Sequence, residues 1–137
     1  MNRILMLISL VFSGCGSSNG KQVDLSVYAG TYQVRETHWQ DTGTQCSSPP
    51  TAIVENVVEI EIDRSQFEAT FDIRWDSLYG EIETNGDFFA VGQAAIAQER
   101  FDWTGSFLDQ NSFEGWMNHI QTACTRTFQL NGERKLP

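Results

Sequence analysis

Residues 54–75 read VENVVEIEIDRSQFEATFDIRW. Two alternating runs make up this stretch. In the first, Val54, Val58, Ile60 and Ile62 alternate with Glu55, Val57, Glu59, Glu61 and Asp63. In the second, Phe67, Ala69, Phe71, Ile73 and Trp75 alternate with Glu68, Thr70, Asp72, Arg74 and Asp76. Apolar residues at every second position put one face of an extended strand into a core and leave the other, acidic face in water. Asp63-Arg64-Ser65 between the runs reads as a turn, so the pair is a hairpin. The acidic outer faces read as solvating surface, with weak divalent-cation binding as the lesser alternative.

The pattern continues in both directions. Asn85-Gly86 is a hairpin signal separating 78–84 from 87–92. Phe101, Trp103, Gly105 and Phe107 share one parity, Asp109 to Ser112 turns the chain, and Phe113, Gly115 and Met117 follow. The predicted strands are 30–39, 52–63, 66–76, 78–84, 87–92, 98–108, 112–120 and 122–130, the last ending at Asn131-Gly132. Residues 93–98 read as a helical turn, and no long apolar helix pattern occurs. The expected fold is all-β, an eight-stranded antiparallel up-and-down barrel; the alternative is a β-sandwich.

The chain has 137 residues, 9 Lys+Arg against 18 Asp+Glu, and a net charge of −9. That is one domain's length. A composition 40% hydrophobic and 12% aromatic is globular rather than disordered. Few, scattered basic residues argue against a nucleic-acid partner.

Arg3 precedes the apolar run 4–12 (ILMLISLVF), too short to span a bilayer and suited to a secretory leader. Phe12-Ser13-Gly14-Cys15 follows and resembles a bacterial lipobox, although that family favours Leu where Phe12 stands. The resemblance implies cleavage before Cys15, lipidation (palmitate among the acyl chains) and membrane attachment. Gly16 after the Cys, rather than Asp, implies the outer membrane of the cell envelope, facing periplasm or surface. Residues 1–14 are then a signal peptide, 15–24 a lipidated flexible tether, and 25–137 the β-barrel domain. Losing Arg3 leaves 8 basic against 18 acidic residues, a mature charge of −10. Such a surface repels anionic headgroups, so the tether is expected to hold the membrane.

In an exported chain the remaining Cys46 and Cys124 read as a disulfide closing a loop of nearly eighty residues. The alternatives are a metal or redox pair, for which no C-x-x-C spacing exists, or two free buried thiols. In an eight-stranded meander the end of the first strand and the start of the last lie at the same end. Closure would therefore bring both cysteines to one end of the seam.

Gly30-Thr31-Tyr32 on the first strand, a meander, and Arg126 on the last strand resemble the lipocalin/calycin pattern. There a G-x-W opens the first strand, and a cation from the last strand packs over the Trp to close the barrel. The resemblance assigns barrel closure to Gly30, Tyr32 and Arg126, with Tyr in place of Trp.

Parity places Glu36, His38, His119 and Arg126 on inner faces of neighbouring strands in a closed barrel. A Glu36–Arg126 pair with two rim histidines is one reading; a polar gate that orients a ligand is the sharper one. Phe67, Phe71, Trp75, Phe101, Trp103 and Phe107 also face inward and either fill the interior or line a pocket. Trp39, Tyr79, Phe89 and Trp116 fall on the outer parity. No enzyme motif, metal site or cofactor signature is present, so catalysis is not expected. The expected function is non-catalytic binding of a small apolar or amphipathic ligand by Glu36, His38, Trp75, Trp103, Phe107, His119 and Arg126. The alternative is a solidly packed barrel that meets another envelope protein with its outer surface.

Overall fold

The structure, a computed structural model, describes residues 23–47, 52–72, 77–93 and 99–137. A short 3-10 turn, Leu25–Tyr28, is capped by Asp24, whose carboxylate accepts from the Ser26 backbone N–H at 3.0 Å. Eight strands follow: β1 Gly30–Gly43, β2 Ile53–Asp63, β3 Gln66–Phe71, β4 Ser77–Ile82, β5 Asp87–Gln93, β6 Arg100–Asp109, β7 Ser112–Gln121 and β8 Cys124–Arg134. Each pairs antiparallel with the next, and β1 pairs with β8, so the sheet closes into an up-and-down barrel rather than a sandwich.

Closure is extensive. The β1–β8 register runs from Tyr32 opposite Arg134 to Gly43 opposite Cys124, with an irregularity between His38 and Gln40. Both strands exceed the expected spans. β1 continues beyond Trp39, and β8 passes through Asn131-Gly132 to Arg134, because each supplies the other's hydrogen-bonding edge. Isolated turn residues do not end a strand whose neighbour continues. Cys46 and Cys124 form the disulfide at this seam, with Cα atoms 5.0 Å apart.

The Asn85-Gly86 signal marks a longer connection than a two-residue hairpin. Ile82 pairs with Phe88, and Glu83 N–H donates to Asp87 O at 2.7 Å. Gly86 takes φ +90°, and the Asn85 side chain accepts from Asp87 N–H at 3.0 Å. Of the expected 93–98 turn, residues 94–98 lie outside the described residues, as do Ile73 to Trp75 at the end of the second alternating run.

The interior is built from the inward parity. Tyr32, Val34, Val58, Ile60, Phe67, Ala69, Phe71, Ala90, Trp103, Phe113, Met117 and Leu130 are all at most 2% exposed. Trp103 is the hub: its ring meets Phe67, Phe71, Phe88 and Phe113 at centroid distances of 4.8–5.8 Å, in edge-on or tilted contact. Gly105 and Gly115 sit opposite each other on β6 and β7 and make room for these rings. A Cβ on Gly105 would lie 2.5 Å from Phe88 Cζ, and one on Gly115 3.1 Å from Trp103 Nε1.

Candidate functional site

The meander gives the barrel two ends of different character. At the floor lie the 3-10 turn, the β2–β3, β4–β5 and β6–β7 connections and the C-terminal end of β8. Tyr28 stacks on Phe107 at 4.5 Å, and Tyr32 and Phe113 pack against the same Phe107 ring. Tyr32 Oη donates to Tyr28 O at 2.8 Å. Burial drives the Tyr32 phenol up to about 12, against the lowering effect of the neighbouring guanidinium. That guanidinium belongs to Arg134, whose Cζ lies 5.1 Å from the Tyr32 ring centroid.

Arg134 donates to the carbonyls of Ala29 (2.7 Å), Val27 (2.6 Å) and Gln110 (2.6 Å) and to Tyr32 Oη (2.9 Å). Gly30, at φ +152°, leaves the space it needs, since a Cβ there would collide with Arg134 Nη1. The closing cation is therefore Arg134 and not Arg126. The correction follows from the length of β8: Arg134 is the residue opposite Tyr32, whereas Arg126 is opposite Asp41 at the other end. Gly30 and Tyr32 take the positions expected of them.

At the upper end, Arg126 Nε lies 3.5 Å from Asp41 Oδ1, and its Nη2 donates to Ser47 Oγ at 3.2 Å and to Ser47 O. His38 Nε2 is 2.8 Å from the same Asp41 oxygen, and its ring meets Phe128 edge-on at 5.7 Å. The acid that joins Arg126 across the seam is thus Asp41. Glu36, 2% exposed, lies deeper, opposite Leu130. His119 stacks on Phe101 at 4.4 Å and bonds Glu99 Oε2 at 3.0 Å, while Gln121 donates to Glu99 Oε1 at 2.8 Å. The Gln121 and His119 bonds hold the Glu99 carboxyl below its ordinary range.

Glu36, His38, His119 and Arg126 therefore share the upper half, with His38 and Arg126 linked through Asp41. Trp103 and Phe107 do not join them as pocket walls. Trp103 is enclosed by four rings, and Phe107 belongs to the floor. Trp75 and the lipidation candidate Cys15 lie outside the described residues. Clefts of about 580 and 440 Å³ lie on the outer wall, the first among Glu61, Asp63, Glu68, Tyr79 and Glu81, and neither reaches Trp103 or Phe107.

One interior residue carries no apolar signal and still belongs to the core. Asn56 is 1% exposed, shares the inward face of β2 with Val58 and Ile60, and sits opposite Val34. Neither Nδ2 nor Oδ1 has a hydrogen-bond partner among the described residues. A buried amide left unpaired costs on the order of 1–3 kcal/mol. The signal was its parity with Val58, against which its polar side chain argued. Arg134 was similarly hidden beyond a Gly that resembled a strand end.

No protein family model matches the chain, and no curated protein matches it. Among solved structures it is similar to that of EF1p2_mFAP2b bound to DFHBI, with a TM-score of 0.55 and 7% identity over 85% of this chain and 100% of that one. The likeness is one of fold.

The outer face carries its own aromatics. Trp39 and Trp116, 62% and 40% exposed, make a T-shaped pair at 5.4 Å. Tyr79 and Phe89 are also exposed; they lie opposite Val91 and Glu81 respectively on the β4–β5 pair.

Proposed function

We propose that the chain is a lipid-anchored protein of the outer membrane whose barrel binds a small apolar or amphipathic ligand, without catalysis, in the upper half of its interior. The observation that carries this reading is Asn56, a buried amide with both polar atoms unmatched on an otherwise apolar wall. Proteins satisfy buried polar groups, and a ligand supplies what the described residues do not. A floor sealed by Arg134 and Tyr28 leaves the upper end as the way in. The inner wall there, with Phe71, Phe101, Met117 and Phe128, suits an apolar body, and Glu36 and Asn56 suit a polar group. The fold likeness to a barrel solved with DFHBI bound is in keeping with this use of the architecture. Attachment through Cys15 rests on the lipobox resemblance of residues 12–15.

The test is native mass spectrometry of the purified chain before and after mild organic extraction. A co-purifying mass lost on extraction is expected and would identify the ligand class. A clean apo mass that persists after incubation with envelope lipid extract would overturn the binding reading. Anchoring is tested by Cys15→Ala, which should move the protein from the membrane to the soluble fraction.

A second reading is favoured by the exposed Trp39–Trp116 pair. On it, the outer wall meets another envelope protein and the interior is packed throughout.

A further inference from the structure

The chemistry of Asn56 specifies more than an apolar ligand; the argument rests on the binding reading above. A carboxamide presents N–H donors and a carbonyl acceptor side by side on one planar edge. At Asn56 both atoms are buried and neither has a partner among the described residues. A purely aliphatic guest would leave both unmatched. A carboxylate would accept from Nδ2 and offer nothing to Oδ1. An ammonium would donate to Oδ1 and offer nothing to Nδ2. Only a group with an acceptor and a donor on the same edge satisfies the amide in one contact.

The walls add a shape. Phe71 lies on β3 opposite Val58, the inward neighbour of Asn56 on β2, and is 1% exposed. Phe101 and Phe128, on β6 and β8, are 8% and 7% exposed, and Phe101 already holds one planar ring, that of His119, face to face. Rings favour planar, aromatic guests through stacked or edge-on contact.

We infer that the ligand is a neutral, planar heterocycle of the lactam or cyclic-imide type, its donor–acceptor edge paired with the Asn56 carboxamide and its aromatic body among Phe71, Phe101 and Phe128. Arg126 does not read the ligand's polar edge. It stands at the upper end, bound to Asp41 and Ser47.

Three probes of one shape test this: quinolin-2(1H)-one, its N-methyl derivative and naphthalene, titrated into the full chain by calorimetry. A site built around a hydrogen-bonding pair rejects analogues that lack it. Quinolin-2(1H)-one is expected to bind at least about tenfold more tightly than either analogue, a free-energy difference of about 1.4 kcal/mol or more. The preference should disappear in Asn56→Leu. Asn56→Asp, which keeps the shape and removes the amide donors, gives the same readout should the leucine variant not fold. Near-UV circular dichroism checks the fold of both.

Equal affinities for the three probes in the wild-type chain would overturn the lactam inference while leaving the binding barrel in place. A preference that survives both substitutions would also overturn it, since another residue would then read the edge. Binding of none of the probes would count against the inference and the binding reading together, and would leave water as the partner of Asn56.

Discussion

Replacing Asn56 with leucine keeps the size of the side chain and removes two polar atoms that have no partner among the described residues. Thermal or urea unfolding of the ligand-free protein should show Asn56→Leu more stable than wild type by about 1–3 kcal/mol. Unchanged or lower stability would mean that the amide is already satisfied. Arg134→Ala should act in the opposite sense. It removes donors to Val27, Ala29, Gln110 and Tyr32 together, with a loss of about 2–4 kcal/mol in the same assay. Arg126→Ala should cost less, since its partners Asp41 and Ser47 lie at the upper end. A larger loss from Arg126 would reverse the assignment of the closing cation. The sequence showed these two residues unequally. A lipocalin-like Gly and aromatic at 30 and 32 identified the floor, yet the matching cation was sought on the wrong side of Asn131-Gly132. A Gly signals a strand end only where no neighbour continues the ladder, and that neighbour is β1, about a hundred residues earlier.

At the scale of elements, alternation carried the reading because nearly every strand buries one face and wets the other. β2 and β3 show it plainly: Val58, Ile60, Phe67, Ala69 and Phe71 are buried, and Glu59, Glu61 and Thr70 are exposed. Loop geometry was less legible. The Asn85 side chain and Gly86 shape a connection longer than the dipeptide signal implies, since Asx bonding offers more than one way to turn. The floor, where β1 starts and β8 ends, has a pH signature. The Tyr32 phenol is raised in the folded state, so the unfolded chain loses its proton first. Its contribution to stability is complete below the usual 10.0 and is lost as pH rises towards about 12. Urea unfolding across this window should show stability falling with pH, and Tyr32→Phe should flatten that slope. A slope unchanged in the phenylalanine variant would place the alkaline sensitivity elsewhere.

For the whole molecule, the decisive step was topological. An even number of strands puts Cys46 and Cys124 at one end, and closure makes their strands neighbours. The bond spans a sequence separation of 78 residues, for which chain entropy gives roughly 4–5 kcal/mol. Reduction, or the paired change Cys46→Ser with Cys124→Ser, should lower the unfolding free energy by about that much. A loss below about 1 kcal/mol would mean that the β1–β8 ladder holds the seam unaided.

Arg134 has a consequence for orientation. By gripping Val27 and Ala29 it pins the entry of the chain to the sealed floor, so the described domain begins at Val23 on that side. With the proposed lipid on Cys15, the bilayer lies below the floor, like the ground beneath a cup. The rim then points into the aqueous space, and a guest arrives by diffusion through water rather than by sliding out of the membrane.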